Sequence, residues 1–293
     1  MSDDGLLPLG AQVEEQRHYG DATEVKVSQV RSVCERYGST SIVALAGVPG
    51  TGKSFVGRIA AQRIAGEPTR VRELQFHPST TYEEFIEGLR IDVSGAIAVE
   101  PGLFLEWNDY ALDDPTLTWV IFIDELTRAN ISAVLGELMT FVEDRSRSFT
   151  TLYSRRPVRI AENLIILGTY NPTDRSAIEV DNALLRRMRI IQFAPDAGQL
   201  RDMLRSTDLS AAATDKLVAL FDTVKAAHPD DYEFLMPFGH GIFAEIRQER
   251  PDLNLLWEER IRYMLQRPLV QAHPFYDTIR RAYPWTDPDY FEP

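Results

Sequence analysis

Residues Gly47-Val-Pro-Gly-Thr-Gly-Lys-Ser54 fit the pattern G-x-x-x-x-G-K-[ST] in full. A short apolar stretch, Ser41-Ile-Val-Ala-Leu-Ala46, precedes them and reads as a buried strand. A helical stretch follows, with Phe55, Ile59, Ala60 and Ile64 spaced to share one side. The pattern alone arises by chance in about one per cent of chains this long, and the strand and helix around it make a phosphate-binding loop the governing reading. Glycines let backbone N–H groups turn inward around phosphate oxygens, and the helix N-terminus adds its dipole. The expected nucleotide-binding stretch is Gly47, Val48, Pro49, Gly50, Thr51, Gly52, Lys53, Ser54 and Phe55. Lys53 is expected on the β- and γ-phosphates, and the Ser54 hydroxyl on Mg²⁺.

The rest of the chain alternates strands with helices. Val27, Val30, Cys34 and Tyr37 share a helical spacing and place a helix over 24–37. Four more strands are expected at Arg70–Phe76, Thr118–Ile123, Asn163–Gly168 and Arg189–Phe193. Helices are expected at Ile131–Val142 and Asp181–Arg187. This order argues for an α/β fold with a mostly parallel five-stranded sheet covered on both faces. From Gln199 onward only helical patterns remain, among them Leu217, Leu220, Phe221, Val224 and then Leu253, Leu256, Trp257, Ile261, Met264. The expected organisation is a lead-in and helix over 1–40, an α/β nucleotide-binding domain over 41–195, and a small helical domain with a tail over 196–293.

Composition closes off other classes. The net charge of −13 disfavours coating nucleic acid by bulk electrostatics, so any DNA involvement is expected to be indirect. Cys34 is the single cysteine, which rules out an intramolecular disulfide, and its helical spacing makes it a small core residue. The five histidines have no metal-ligand spacing. The N-terminus has no basic segment followed by an apolar one, and no apolar run approaches a membrane span, so the chain is expected to be cytoplasmic.

Trp119-Val-Ile-Phe-Ile-Asp-Glu125 is an apolar strand ending in two acids. About seventy residues after a full phosphate loop, those acids are expected to serve the nucleotide rather than a solvated turn. Asp124 would hold Mg²⁺, and Glu125 would polarise the attacking water. This strand is expected to lie beside the strand that enters the phosphate loop. Asn171 follows the fourth strand; it either orients water near the γ-phosphate or builds an Asn-Pro turn. Arg186, Arg187 and Arg189 surround a helix end, where cations also favour the helix dipole.

These segments together resemble the McrB-like branch of AAA+ NTPases. Phe76-His-Pro-Ser-Thr-Thr-Tyr-Glu-Glu-Phe-Ile-Glu-Gly88 is similar to the family's segment after its second strand. Phe122-Ile-Asp-Glu-Leu-Thr-Arg-Ala-Asn-Ile-Ser132 with Gly136-Glu137 resembles the Walker B stretch IDEINRANxSxxxGE. Asn171-Pro-Thr-Asp-Arg-Ser176 resembles N-T-x-D-R-S, Asp181-Asn-Ala-Leu-Leu-Arg-Arg-Met188 resembles D-x-A-L-R-R-R-F, and Phe238-Gly-His-Gly-Ile-Phe243 resembles a G-H-S-Y-F lid segment. Thr127, Pro172, Leu185 and Met188 depart from the pattern. The resemblance implies an AAA+ core with a C-terminal helical lid, and a ring of identical subunits, usually six. It implies sensor 1 at Asn171, signature residues Asp174 and Arg175 beside the site, and an arginine finger at Arg186 or Arg187, with Arg187 preferred. It places His240 near the sensor 2 position. It implies ATP or GTP with Mg²⁺, ATP being favoured on the breadth of AAA+ usage. The partner it implies is a McrC-like nuclease subunit in foreign-DNA restriction. A MoxR-type remodelling ATPase and a nucleotide-gated scaffold are the competing functions.

Overall fold

A computed structural model describes residues 20–91, 93, 95–172, 182–265 and 275–285. In chain order the first elements are α1 (Asp21–Tyr37), β1 (Ile42–Ala46), α2 (Lys53–Ala65), β2 (Val71–Gln75), α3 (Tyr82–Phe85), β3 (Glu87–Ile91), β4 (Ile97–Pro101), α4 (Leu103–Asp113) and β5 (Trp119–Asp124). Then come α5 (Ile131–Leu135), α6 (Leu138–Phe141), β6 (Ser148–Thr150), β7 (Pro157–Arg159), β8 (Leu164–Tyr170) and, after helix Asn182–Arg187, β9 (Met188–Gln192). The five strands expected from the sequence are β1, β2, β5, β8 and β9. They form one sheet in the order β2-β5-β8-β1-β9. The β2–β5, β5–β8 and β8–β1 pairs are parallel.

One expectation about this sheet is corrected. β5 does not lie beside β1, because β8 is inserted between them with Ile123 opposite Gly168 and Leu45 opposite Thr169. The end of β8 is thereby brought level with the two acids that close β5.

The chain forms two compact units. One gathers Lys26–Ala46 with Ser54–Ile191; the other joins the first turn of α1 and residues 47–53 to Gln192 onward. In the first unit β1, β5 and β8 are buried on both faces, which is why they read as unbroken apolar runs. Ile42, Ala44, Ile121, Ile123 and Ile166 share a core with Phe104, Val134, Leu135 and Leu138 from α4, α5 and α6. On α2 the buried residues are Val56, Gly57, Ile59, Ala60, Ala61 and Ala65, whereas Phe55 is 44% exposed. The expected face is therefore rotated. Small residues let α2 approach closely: a Cβ on Gly57 would lie 2.6 Å from the Phe122 ring. Buried Cys34 packs as an apolar residue, its thiol pushed up to about 12 by desolvation and the nearby Glu35.

Two antiparallel hairpins, β3–β4 and β6–β7, were absent from the sequence expectation. Buried Glu87 ties them together, accepting from the Tyr153 and Ser154 N–H groups at 2.6 and 3.0 Å and from the Ser154 hydroxyl at 2.6 Å. Burial works to raise its carboxyl pKa, but the Ser154 and Tyr153 hydrogen bonds outweigh it and leave the group below the usual carboxylate range.

The second unit has its own core, in which Leu200, Leu217, Phe221, Phe238, Phe243, Trp257 and Ile279 meet. Its longest helix, Ala211–Ala227, is capped by Ser210, whose side chain accepts from the Ala213 N–H. Among the described residues, no helix is long and apolar enough to cross a membrane.

Candidate functional site

In the second unit the loop from Gly47 to Gly52 is held open by its glycines. Gly50 and Gly52 have φ of +79° and +78°, a region that costs other residues about 1–2 kcal/mol. The Thr51 hydroxyl donates to the Val48 carbonyl at 3.0 Å. Lys53 Nζ donates to the Gly47 and Val48 carbonyls at 2.8 and 3.0 Å, so the amine arches over the loop. The conformation suits a polyanion, since glycine backbone and a lysine amine line the same short loop.

The loop is braced by the segment Gly239–Phe243. The Gly239 N–H donates to the Pro49 carbonyl at 2.8 Å, and the Gly241 N–H to Gly50 at 2.6 Å. A Cβ on Gly239 would sit 2.3 Å from the Gly50 backbone, so glycine is required for this approach. His240, between them, is 4% exposed. Its Nδ1 accepts from the Asp196 N–H at 3.3 Å, and its Nε2 faces Gly52. Desolvation lowers its pKa to about 4, against a smaller upward pull from the Asp196 carboxylate. His240 is thus neutral at pH 7, and with Nδ1 accepting, its ring proton is on Nε2. Gln199, buried on helix Ala197–Leu204, also faces Gly52. Nothing in its local sequence pattern pointed to that role.

In the first unit the chemistry gathers at the C-terminal ends of β5 and β8. The Ser54 hydroxyl donates to Asp124 Oδ1 at 2.8 Å, which keeps the Ser54 lone pairs available to a cation. The Thr169 hydroxyl donates to the same Asp124 oxygen. The Glu125 N–H in turn donates to Thr169 Oγ1 at 3.1 Å. Glu125 has φ 58° and ψ 47°, a left-handed conformation that costs about 1–2 kcal/mol for a residue with a side chain. This turn ends β5 and swings the second acid out of the strand alternation. Its carboxylate lies 3.4 Å from the Arg128 Nε. Two hydroxyls on one carboxylate oxygen, with a second carboxylate one residue on, are a donor set that fits Mg²⁺ and a water beside it.

Asn171 follows β8 directly and is 5% exposed. Asp174 and Arg175 lie outside the described residues. At the end of helix Asn182–Arg187 both arginines face Glu143, Arg186 at 3.4 Å and Arg187 at 3.2 Å. The Arg186 side chain is 70% exposed and that of Arg187 only 13%. Arg186 is therefore the more open of the two to the surface. Sequence reading passed over Thr169 and Arg128; the available signal for Thr169 was a threonine at the end of an otherwise apolar run.

A family model for AAA domains of the dynein-related subfamily matches residues 42–188. The chain is 29% identical over 272 residues to the type IV methyl-directed restriction enzyme EcoKMcrB subunit of Escherichia coli K12. That match takes in 88% of this chain and 59% of the relative, so the chain spans well under two thirds of its length. Among solved structures, NtrX from Brucella abortus overlays at 14% identity with a TM-score of 0.44, covering 89% of this chain and 53% of that one. A Cytophaga hutchinsonii protein overlays at 14% identity and a TM-score of 0.40, covering 69% and 62%. With its phosphate loop, its paired acids on β5 and the match over residues 42–188, the chain belongs to the dynein-related subfamily of AAA domains.

Proposed function

We propose that this chain hydrolyses ATP with Mg²⁺ as a ring of identical subunits, usually six, and thereby drives or gates a McrC-like nuclease subunit in restriction of foreign DNA. The observation that carries the hydrolytic reading is the hydrogen-bonded set Ser54, Asp124, Thr169 and Glu125. Lys53 would neutralise phosphate charge. Ser54 and Asp124 would hold Mg²⁺, which when bound offsets charge on the phosphate oxygens. Glu125 would take a proton from water, with Asn171 orienting that water. Arg186 from a neighbouring copy, or Arg187, would stabilise charge in the transition state.

The restriction role and the McrC-like partner rest on likeness to the EcoKMcrB subunit. The net charge of −13 supports leaving DNA contact to the partner.

The test is steady-state hydrolysis of ATP and GTP against protein concentration. ATP turnover per chain that rises steeply with concentration supports a site completed by a neighbour. A GTP preference would replace ATP in the proposal. Turnover independent of concentration would remove the trans arginine, and absence of turnover of either nucleotide would overturn the autonomous motor.

A further inference from the structure

Thr169 is the one aliphatic hydroxyl residue in β8, Leu-Ile-Ile-Leu-Gly-Thr-Tyr, and is 1% exposed in the middle of the sheet. A hydroxyl buried there is costly unless both its proton and its lone pairs are used. Here both are. The proton goes to Asp124 Oδ1, and a lone pair accepts the Glu125 N–H at 3.1 Å. The same side chain therefore orients the carboxylate assigned to the metal and anchors the backbone of the residue assigned to the water.

The anchoring matters because of where Glu125 sits. At φ 58° its peptide is turned away from the strand ladder, so its N–H needs a partner outside that ladder. Thr169 supplies it. The arrangement depends on β8 standing between β1 and β5, which puts Thr169 one residue beyond the Ile123–Gly168 pair. Asp124 Oδ1 also accepts from Ser54, so two hydroxyls from different elements converge on one carboxylate oxygen.

We propose that Thr169 is a positioning residue for hydrolysis, setting the Asp124 carboxylate and the left-handed turn of Glu125 through a single hydroxyl. This rests on the hydrolytic reading of the same site. Thr169 touches neither nucleotide nor water in this scheme; it acts through the two acids. Losing a hydrogen bond that orients a metal-binding group typically costs 10–100-fold in metal affinity or activity.

The experiment compares wild type, Thr169→Val and Thr169→Ser in ATP hydrolysis across a Mg²⁺ titration, with melting temperature and ATP KM measured alongside. Valine keeps the β-branched shape and removes both hydrogen bonds; serine keeps both. The expected result is a fall of about 10–100-fold in kcat for Thr169→Val, a higher Mg²⁺ midpoint and little change in ATP KM. Thr169→Ser is expected within about threefold of wild type, because the hydroxyl survives. Equal kcat and Mg²⁺ midpoint in wild type and Thr169→Val would overturn the inference, as would a lowered melting temperature with unchanged kinetics. If Thr169→Val does not fold, Thr169→Ala against Thr169→Ser makes the same comparison by the same readouts. An inactive wild type would instead count against the hydrolytic reading, which keeps the two failures distinct.

Discussion

Acidification should loosen the phosphate loop through His240. The ring is buried at neutral charge against Gly52, with its ordinary pKa of 6.5 lowered to about 4. In the unfolded chain it takes a proton near its ordinary value; in the folded chain it resists until about pH 4. The stability it contributes is thus complete above about pH 6.5 and is lost as pH falls toward 4. A difference of this size is worth about 3 kcal/mol over the whole window. At pH 5.5 the shortfall is already on the order of 1 kcal/mol, and it grows toward the full amount as pH approaches 4. Urea denaturation of wild type and His240→Gln across this range isolates the effect, because glutamine cannot take the charge. The wild-type advantage should shrink by on the order of 1 kcal/mol between pH 7.5 and 5.5. Parallel pH curves for the two proteins would refute the buried neutral histidine.

Arg145 is 4% exposed and bonds the Gly38, Ala161 and Leu164 carbonyls at 2.7, 2.7 and 2.6 Å, and burial lowers its pKa to about 10, so it stays charged at pH 7. Arg145→Met should cost about 3 kcal/mol in urea denaturation by leaving those carbonyls unsatisfied; a change under about 0.5 kcal/mol would contradict this. Gly168→Ala would place a Cβ 2.2 Å from Leu126 Cδ1, directly after Glu125, and should destabilise by about 1–3 kcal/mol while lowering kcat. Arg186→Ala should retain nucleotide binding and lose turnover. Mixing it with Glu125→Gln should restore part of that turnover, because each copy supplies what the other lacks; mixtures no more active than their components would argue against a finger in trans.

The elements legible in the sequence are those whose burial or backbone demands leave a local trace. β1, β5 and β8 are covered on both faces and so appear as continuous apolar runs. The phosphate loop is legible because only glycine serves at Gly50 and Gly52. The β3–β4 hairpin left less to read: Leu89, Ile91, Ile97 and Val99 alternate correctly but are all exposed, so alternation has no buried face to report. α2 misled in the opposite way, since small Gly57, Ala60 and Ala61 are buried and bulky Phe55 is not. Strand order is non-local, and nothing in β5 or β8 alone says that one lies between the other and β1. Thr169 was missed for the same reason. Its partners, 44 and 45 residues away, become visible only once β8 is inserted in the sheet.

In the proposed mechanism Glu125 activates water at a nucleotide held by Lys53, Ser54 and Asp124. It is tested most directly by Glu125→Gln, with ATP binding and single-turnover hydrolysis measured on the same preparation in Mg²⁺. The expected result is ATP bound with close to wild-type affinity and hydrolysed at least about a hundredfold more slowly. Hydrolysis by the variant at the wild-type rate would contradict the assignment, whatever its affinity for ATP.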